Sequence, residues 1–402
     1  MGELASSSTR AIPRTIWALG FVSLFMDLSS ELVHSLLPVF LVGTLGISVM
    51  TIGLIEGVAE ATALVVKVFS GAISDFIGRR KELLLLGYGL AALTKPLFPL
   101  AASAELVFTA RILDRIGKGI RGAPRDALVA DVAPPAIRGA CFGLRQSMDT
   151  VGAFLGPILA IFLMAWFADD ISLVLWFAVI PAVLAVMLLF FGIDEPEHEA
   201  VPRHFRSPIQ MRSLRQFSKN YWWVVGIGAV FTLARFSEAF LILRAQQLGF
   251  SATWVPLVMV VMAGFYMLSA YPVGKWSDSI SRTALLSVGL VLLILADVVL
   301  AYAGSVSMVL LGVALWGLHM GFSQGILATL VADTTPPNLK GTAFGLFNLV
   351  SGIALLLASV IAGGLWQVYG AAVAFYAGAA FSAAALILLL IQQRSDGARS
   401  QR

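Results

Sequence analysis

Charge is scarce in this 402-residue chain. Only 12% of its residues are Asp, Glu, Lys or Arg, while 59% are hydrophobic. Water-soluble domains carry about 25% charged residues, so the excess of apolar surface excludes an ordinary water-facing globule. Cysteine is nearly missing: Cys141 alone allows no internal disulfide and no cysteine-rich metal site. The histidines are only His34, His198, His204 and His319, with no H-E-x-x-H pair, so no metal centre is expected and an intramembrane metalloenzyme is disfavoured. A phosphate-cradling G-x-x-x-x-G-K-[ST] loop is also missing, which excludes ATP as the direct energy source and implies no nucleotide cofactor. The net charge of +4 is spread over short loops and helices rather than along one stripe, and so implies no nucleic-acid partner. The polar stub from Met1 to Arg14 leads into an apolar segment with no cleavage-site pattern after it, so that segment is expected to be a retained helix and not a signal peptide.

What the chain has is long apolar runs. Stretches able to cross a bilayer, about 20 residues each, recur near 15–43, 47–74, 83–102, 104–127, 139–166 and 172–193, then near 221–243, 253–275, 284–303, 308–331, 341–366 and 371–392. They predict an all-α membrane protein of 12 transmembrane helices in two pseudo-symmetric six-helix bundles, 1–193 and 221–402, joined by a hydrophilic cytoplasmic linker, 194–220. Lys and Arg fall in the even connections (Arg79, Arg80 and Lys81; Arg138; the linker; Lys275 and Arg282; Lys340) and are missing from the odd ones. By the positive-inside rule both termini and the linker are cytoplasmic. The expected location is a cell (inner or plasma) membrane, multi-pass.

The halves repeat each other. Residues 129–144 and 331–346 share nine identities in sixteen positions at an offset of 202. Gly71, Ser74, Asp75 and Arg79 recur as Gly274, Ser277, Asp278 and Arg282 at nearly the same offset. Duplicated bundles with a solute path between them are the architecture of a rocking secondary transporter.

Ionisable side chains at membrane depth are costly unless paired or facing a wet cavity. In the fourth segment Arg111, Asp114, Arg115, Lys118, Arg121, Arg125 and Asp126 fall within an arc of roughly 140° at about 100° per residue. No lipid-facing helix carries such a stripe. Asp27, Glu31 and His34 share one face of the first segment, and Glu56, Glu60 and Lys67 one face of the second. Arg145, Gln146 and Asp149 lie on the fifth. The first half holds fifteen such charges, the second only Arg235, Glu238, Arg244 and Asp297. Two readings stay open for each charge: a fixed ion pair, or a group that exchanges protons or meets solute. Asp27, Glu31, Arg111 and Asp114 are the proton-coupling candidates. His34, Glu56, Arg115, Lys118, Arg145, Asp149, Arg235, Glu238, Tyr266, Trp316, His319, Gln324 and Asn348 are the candidates for a substrate cavity.

Gly71, Asp75, Gly78, Arg79, Arg80 and Lys81 resemble the signature loop of the major facilitator superfamily, with Phe76 standing where a basic residue is usual. The resemblance covers essentially the whole chain. It implies a cytoplasmic gate in which Asp75 meets the helix that starts near Gly341 and Arg79 meets Asp126 or Asp131. Arg111, Gly117, Gly119 and Pro124 resemble a motif associated with proton coupling, and Gly143, Gly152, Gly156 and Pro157 the antiporter pattern, with Ala160 replacing its last glycine. The implied function is proton-coupled efflux of a small organic solute by alternating access, by a monomer whose partners are solute, protons and lipid. Transport of an anionic metabolite or metal chelate is the alternative, since the stripe of the fourth segment has five cations against two anions. A non-transporting solute sensor or an intramembrane enzyme is the rival from another class, disfavoured by the missing soluble domain and metal cluster.

Overall fold

The computed structural model describes residues 11–193, 211–277, 279–336 and 339–400, with the side chains of 211–213 and 394–400 left aside. Most of the expected linker, its His198 and His204, and Asp278, Pro337 and Asn338 of the repeat lie outside these residues. Among the described residues there are helices and no strand. Helix is what a bilayer demands, because it satisfies backbone hydrogen bonds within one segment.

The chain groups into two compact units, Met1–Val33 with Val66–Ser207 and His34–Val65 with Pro208–Arg402. Helices α1 (Arg14–Val39) and α2 (Val49–Ile77) contribute to both. The first unit adds α3 (Arg80–Thr94), α4 (Ala104–Val132), α5 (Arg138–Trp166), α6 (Ile171–Phe177) and α7 (Val179–Gly192). The second adds α8 (Lys219–Ala234), α9 (Ala239–Gln247), α10 (Leu257–Trp276), α11 (Arg282–Tyr302), α12 (Val306–Asp333), α13 (Lys340–Tyr369) and α14 (Ala371–Ser400). Ten helical stretches are long and apolar enough to cross a membrane. Neither α3, which has 15 residues before a short 3-10 turn, nor α4, with its charged stripe, is among them.

In the first unit α3 packs on α4 and α7, around a core that includes Leu19, Met26, Tyr88, Leu128 and Leu189. In the second, α11 lies against α12 and α14, and α8 against α13 and α14. The outward surface is inverted relative to a water-soluble protein: Phe191, Leu93 and Leu268 are 77%, 75% and 68% exposed. Exposed aromatics stand at helix ends, with Trp166, Tyr302 and Tyr369 closing α5, α11 and α13, and Trp17, Trp222 and Trp223 near the starts of α1 and α8. Such placement suits the headgroup level of a bilayer.

Two expected spans are interrupted. The one near 172–193 divides at Ala178 into α6 and α7, where Pro181 lacks the N–H that would bond back to residue 177. The one near 221–243 extends over Lys219–Gln247 and breaks at Arg235 to Glu238. The freed backbone there is satisfied locally: the Ser237 N–H donates to the Ser359 hydroxyl (3.2 Å) and the Ala239 N–H to the Ser237 hydroxyl (3.2 Å). A broken helix at membrane depth is tolerated where it is buried in protein or lines a cavity.

Candidate functional site

The stripe of α4 points inward. Arg111, Asp114, Arg115 and Arg121 are buried, Arg125 and Asp126 partly so, and Lys118 is exposed. Asp114 is held by the Lys95 ammonium, which donates to its carboxylate at 2.9 Å and to the Ser30 hydroxyl at 3.1 Å. Lys95 and Asp114 are both nearly inaccessible, and the positive Arg111 and Arg115 side chains also act on Asp114. A carboxylate with a fixed counter-charge and a hydrogen bond is a structural pair. Asp114, expected as a proton-coupling group, has the surroundings of the fixed alternative. Lys95 gave no signal of this, because it stands alone on its own segment.

A second cluster joins α1, α4 and α5. The Asp27 and Asp149 carboxyl groups lie near enough to act on each other's charge. Arg125 donates to Asp149 at 3.2 Å and to Ser23 at 3.1 Å. Arg145 is 3.6 Å from Asp149 and 3.5 Å from Asp126, and Arg121 is 4.0 Å from Asp27. The Arg121 guanidinium also stacks over the Tyr88 ring at 4.7 Å, a cation–π contact. Two neighbouring carboxylates repel each other when both are ionised, and the surrounding guanidinium groups offset that repulsion. The group can therefore hold a proton between two acids and change its net charge by one. Arg121, Arg125, Ser23 and Tyr88 were not singled out from sequence as site residues; the stripe had placed both arginines on the right face.

α5 reaches this cluster because of its glycines. A Cβ at Gly152 would overlap the Leu24 carbonyl oxygen, and one at Gly156 would sit 2.8 Å from the Leu28 oxygen and 2.9 Å from the Glu31 Cβ. Backbone-to-backbone contact of α5 with α1 therefore accounts for both, and Glu31 sits at that crossing. Gly143 meets nothing within 4 Å, so packing does not account for it. Pro157 is buried inside α5.

The turn between α2 and α3 is built on Gly78, whose φ of +71° suits a residue without Cβ. Gly71 faces Ala123 on α4. The expected pairing of Arg79 is corrected here: Arg79 bonds Glu82 at 2.8 Å on the surface, and Arg80 takes Asp131 at 2.6 Å and Asp75 at 3.6 Å. Arg79 stands just before α3 without capping it and its side chain projects into solvent, whereas Arg80, one position on, faces α4. In the second unit Arg282 pairs with Asp333. Arg80 to Arg282 and Asp131 to Asp333 both span 202 residues, so the same ion pair occurs once in each half. Asp126 lies instead in ion-pair range of Arg125 and Arg145, at 3.6 and 3.5 Å.

In the second unit a polar group surrounds the break after α8. Half-buried Arg235 lies over the Phe231 ring at 5.6 Å, with Glu238 and Tyr266 near enough to act on its charge. The Tyr266 hydroxyl donates to the Gln324 side-chain oxygen at 3.3 Å. Trp316 and His319, both buried, meet edge to face at 5.4 Å, and Phe236 packs on Trp316 at 5.5 Å. Asn348 is half-buried on α13. His34 and Glu56 are brought to 3.8 Å, both buried.

A stripe of buried charge, a duplicated loop and helices with apolar outer faces are properties of a solute carrier, and comparison with known proteins agrees. The Major Facilitator Superfamily profile matches residues 19–359 and 236–402. The chain belongs to the major facilitator superfamily. This major facilitator is 30% identical over 388 residues to an uncharacterised MFS-type transporter of Methanocaldococcus jannaschii, covering 93% of this chain and 95% of that one. It is 24% identical over 349 residues to the multidrug resistance protein MdtH of Photorhabdus laumondii, covering 86% and 84%. Its fold is similar to that of the nucleoside transporter NupG, with a TM-score of 0.79 at 12% identity over 94% and 99% of the two chains. The protein is a multi-pass membrane transporter and not an enzyme.

Proposed function

We propose that this major facilitator is a secondary active transporter that exports a small organic solute in exchange for protons. Its architecture on this reading is 12 membrane helices in two six-helix halves, 1–193 and 221–402, that rock about a central path, with both termini cytoplasmic, in an inner or plasma membrane and as a monomer. The observation that carries the reading is the Asp27–Asp149 carboxyl pair set among Arg121, Arg125 and Arg145. An acid pair next to guanidinium groups can bind a proton in one conformation and release it when the pairings change, which links protonation to movement. Glu31 and Arg111 belong to the same unit as further coupling groups. The likeness to a protein named for multidrug resistance supports export. Solute contacts are assigned to Arg115, Lys118, His34, Glu56, Arg235, Glu238, Tyr266, Trp316, His319, Gln324 and Asn348. The gate is assigned to Gly71, Asp75, Gly78, Asp131 and Arg80, with Arg79 at its edge.

The test is transport by purified protein in liposomes with and without an imposed pH gradient, across cationic, neutral and anionic solutes. Asp27→Asn and Asp149→Asn are expected to abolish gradient-driven accumulation while leaving downhill exchange. Full gradient-driven transport in the double variant overturns the assignment. The excess of cations in the α4 stripe favours a second reading, an anionic metabolite or metal chelate as solute. Selective transport of the anionic members of the panel would decide for it.

A further inference from the structure

α11 carries one ionisable side chain inside its span, Asp297, and none of the contacts described above uses it. It is fully buried, and neither carboxyl oxygen has a hydrogen-bond partner among the described residues. A Cβ at Gly378 of α14 would lie 2.7 Å from one of those oxygens and 3.0 Å from the Phe236 ring. The carboxyl thus occupies the notch that Gly378 leaves open, with Phe236 as a wall. Other buried polar atoms on the helices packed against α11 lack a hydrogen-bond partner among the described residues: on α12 the indole N–H of Trp316, which packs on Phe236, and both ring nitrogens of His319, and on α14 the hydroxyl of Ser382, one turn beyond Gly378.

The internal repeat explains what is missing. Residues 202 positions after Lys95 and Asp114 are Asp297 and Trp316. The first half fills these positions with a satisfied ion pair at 2.9 Å. The second half places an acid where the amine stood and an indole where the acid stood, which leaves an acceptor and a donor without partners. Buried polar groups are nearly always bonded, and one that is not needs a reason. An ionised carboxylate here has no counter-charge, so the buried form is the neutral acid. The charged and titratable groups of the neighbouring elements are otherwise engaged or do not act on it. Arg244 on α9 donates to the Leu300, Ala301 and Ala303 carbonyls, and Arg282 and Asp333 pair with each other. Tyr302 meets Tyr376 edge to face, and Arg235, Glu238 and His319 do not act on the Asp297 carboxyl.

We propose that Asp297 is a second proton-binding site, contained in the second unit and separate from the Asp27–Asp149 pair. The proton binds the carboxylate to give the neutral acid seen buried. When it leaves, the Trp316 N–H and Ser382 O–H, unpartnered on the helices packed against α11, are donors that a side-chain rearrangement would bring to the anion. A bare metal cation fits worse, since one carboxylate among aromatic rings supplies too few oxygen ligands. The site goes beyond the proton-coupled reading, and its test does not require transport to occur.

The test is infrared spectroscopy of the purified protein in lipid, compared between acidic and alkaline buffer. The expected result is a high-frequency carbonyl band of a protonated carboxyl without hydrogen bonds, lost in Asp297→Asn and shifted but kept in Asp297→Glu. The band must persist in the Asp27→Asn/Asp149→Asn double variant. On the unmodified protein, dicyclohexylcarbodiimide, which adds to protonated carboxyls in apolar surroundings, is expected to leave its adduct on the peptide containing Asp297. Identical spectra of the native protein and Asp297→Asn, together with no adduct at Asp297, would overturn the proposal. So would loss of the band on adding sodium at constant pH, which would assign the site to a metal cation.

Discussion

α4 and α12 are the same helix twice, and their difference is chemical rather than architectural. At the repeat offset of 202, Arg111, Asp114, Arg115, Lys118, Arg121, Arg125 and Asp126 of α4 stand opposite Val313, Trp316, Gly317, Met320, Ser323, Leu327 and Ala328 of α12. Only at the end of the helix does the chemistry return, with Asp131 and Asp333 each gripped by an arginine. The duplication preserved what holds a helix in place at its end and let the interior diverge. One half became a charged lattice of paired groups, the other an aromatic wall with a few isolated polar atoms. The comparison teaches that in lipid a buried charge is tolerated by its partner and not by its position in the fold.

The sharpest way to break that comparison is to remove one partner in each half. Lys95→Met leaves Asp114 buried without its amine and is expected to cost about 3–5 kcal/mol, as breaking a buried pair does. The Lys95→Met/Asp114→Leu double variant, which removes both charges, is expected to recover most of that loss. Asp297→Leu, at the position equivalent to Lys95, removes a carboxyl with no partner and is expected to be neutral or stabilising. Thermal unfolding of the purified proteins measures all three. Equal losses from Lys95→Met and Asp297→Leu would show that the two positions are held alike.

Why these partners escaped the sequence follows from what spacing reports. Residues three or four apart share a helix face, so the α4 stripe and the Asp27–Glu31 face were legible, as were the apolar spans, the repeat and the signature loop. Spacing does not say which helix lies opposite. Asp114 finds Lys95 on α3, and Asp27 finds Asp149 on α5, because of packing distant in sequence. The choice of Arg80 over Arg79 is finer still. It depends on which residue the first turn of α3 aims at α4, and aligning the loops by their glycines, at an offset of 203, hid the offset of 202 that the ion pairs obey.

A smaller effect is expected where α5 and α13 differ. Gly152 and Gly156 correspond at the same offset to Ala354 and Ala358, both buried. Gly152→Ala drives a methyl into the Leu24 carbonyl and is expected to cost about 1–3 kcal/mol, the range of overpacking. Ala354→Gly removes a methyl from a helix and is expected to cost about 1 kcal/mol. Transport by Gly152→Ala should fall with its stability, since the same crossing positions Asp149 beside Asp27. A Gly152→Ala protein as stable as the native one would mean that α1 and α5 do not meet this closely.

The two arginine pairs should differ least. Side chains of Arg80 and Asp131 are 15% and 25% exposed, against 34% and 48% for Arg282 and Asp333. Exposed ion pairs contribute about 0–1 kcal/mol and weaken with salt. Arg282→Ala is therefore expected to lower stability by a few tenths of a kcal/mol at low salt and by nothing measurable at high salt. Arg80→Ala removes a more shielded pair and should keep part of its effect at high salt. The charge swap Arg80→Asp/Asp131→Arg restores the attraction and should recover that part. A larger loss from Arg282→Ala than from Arg80→Ala would reverse the order that burial dictates, and would move the stronger of the two repeated contacts to the second half.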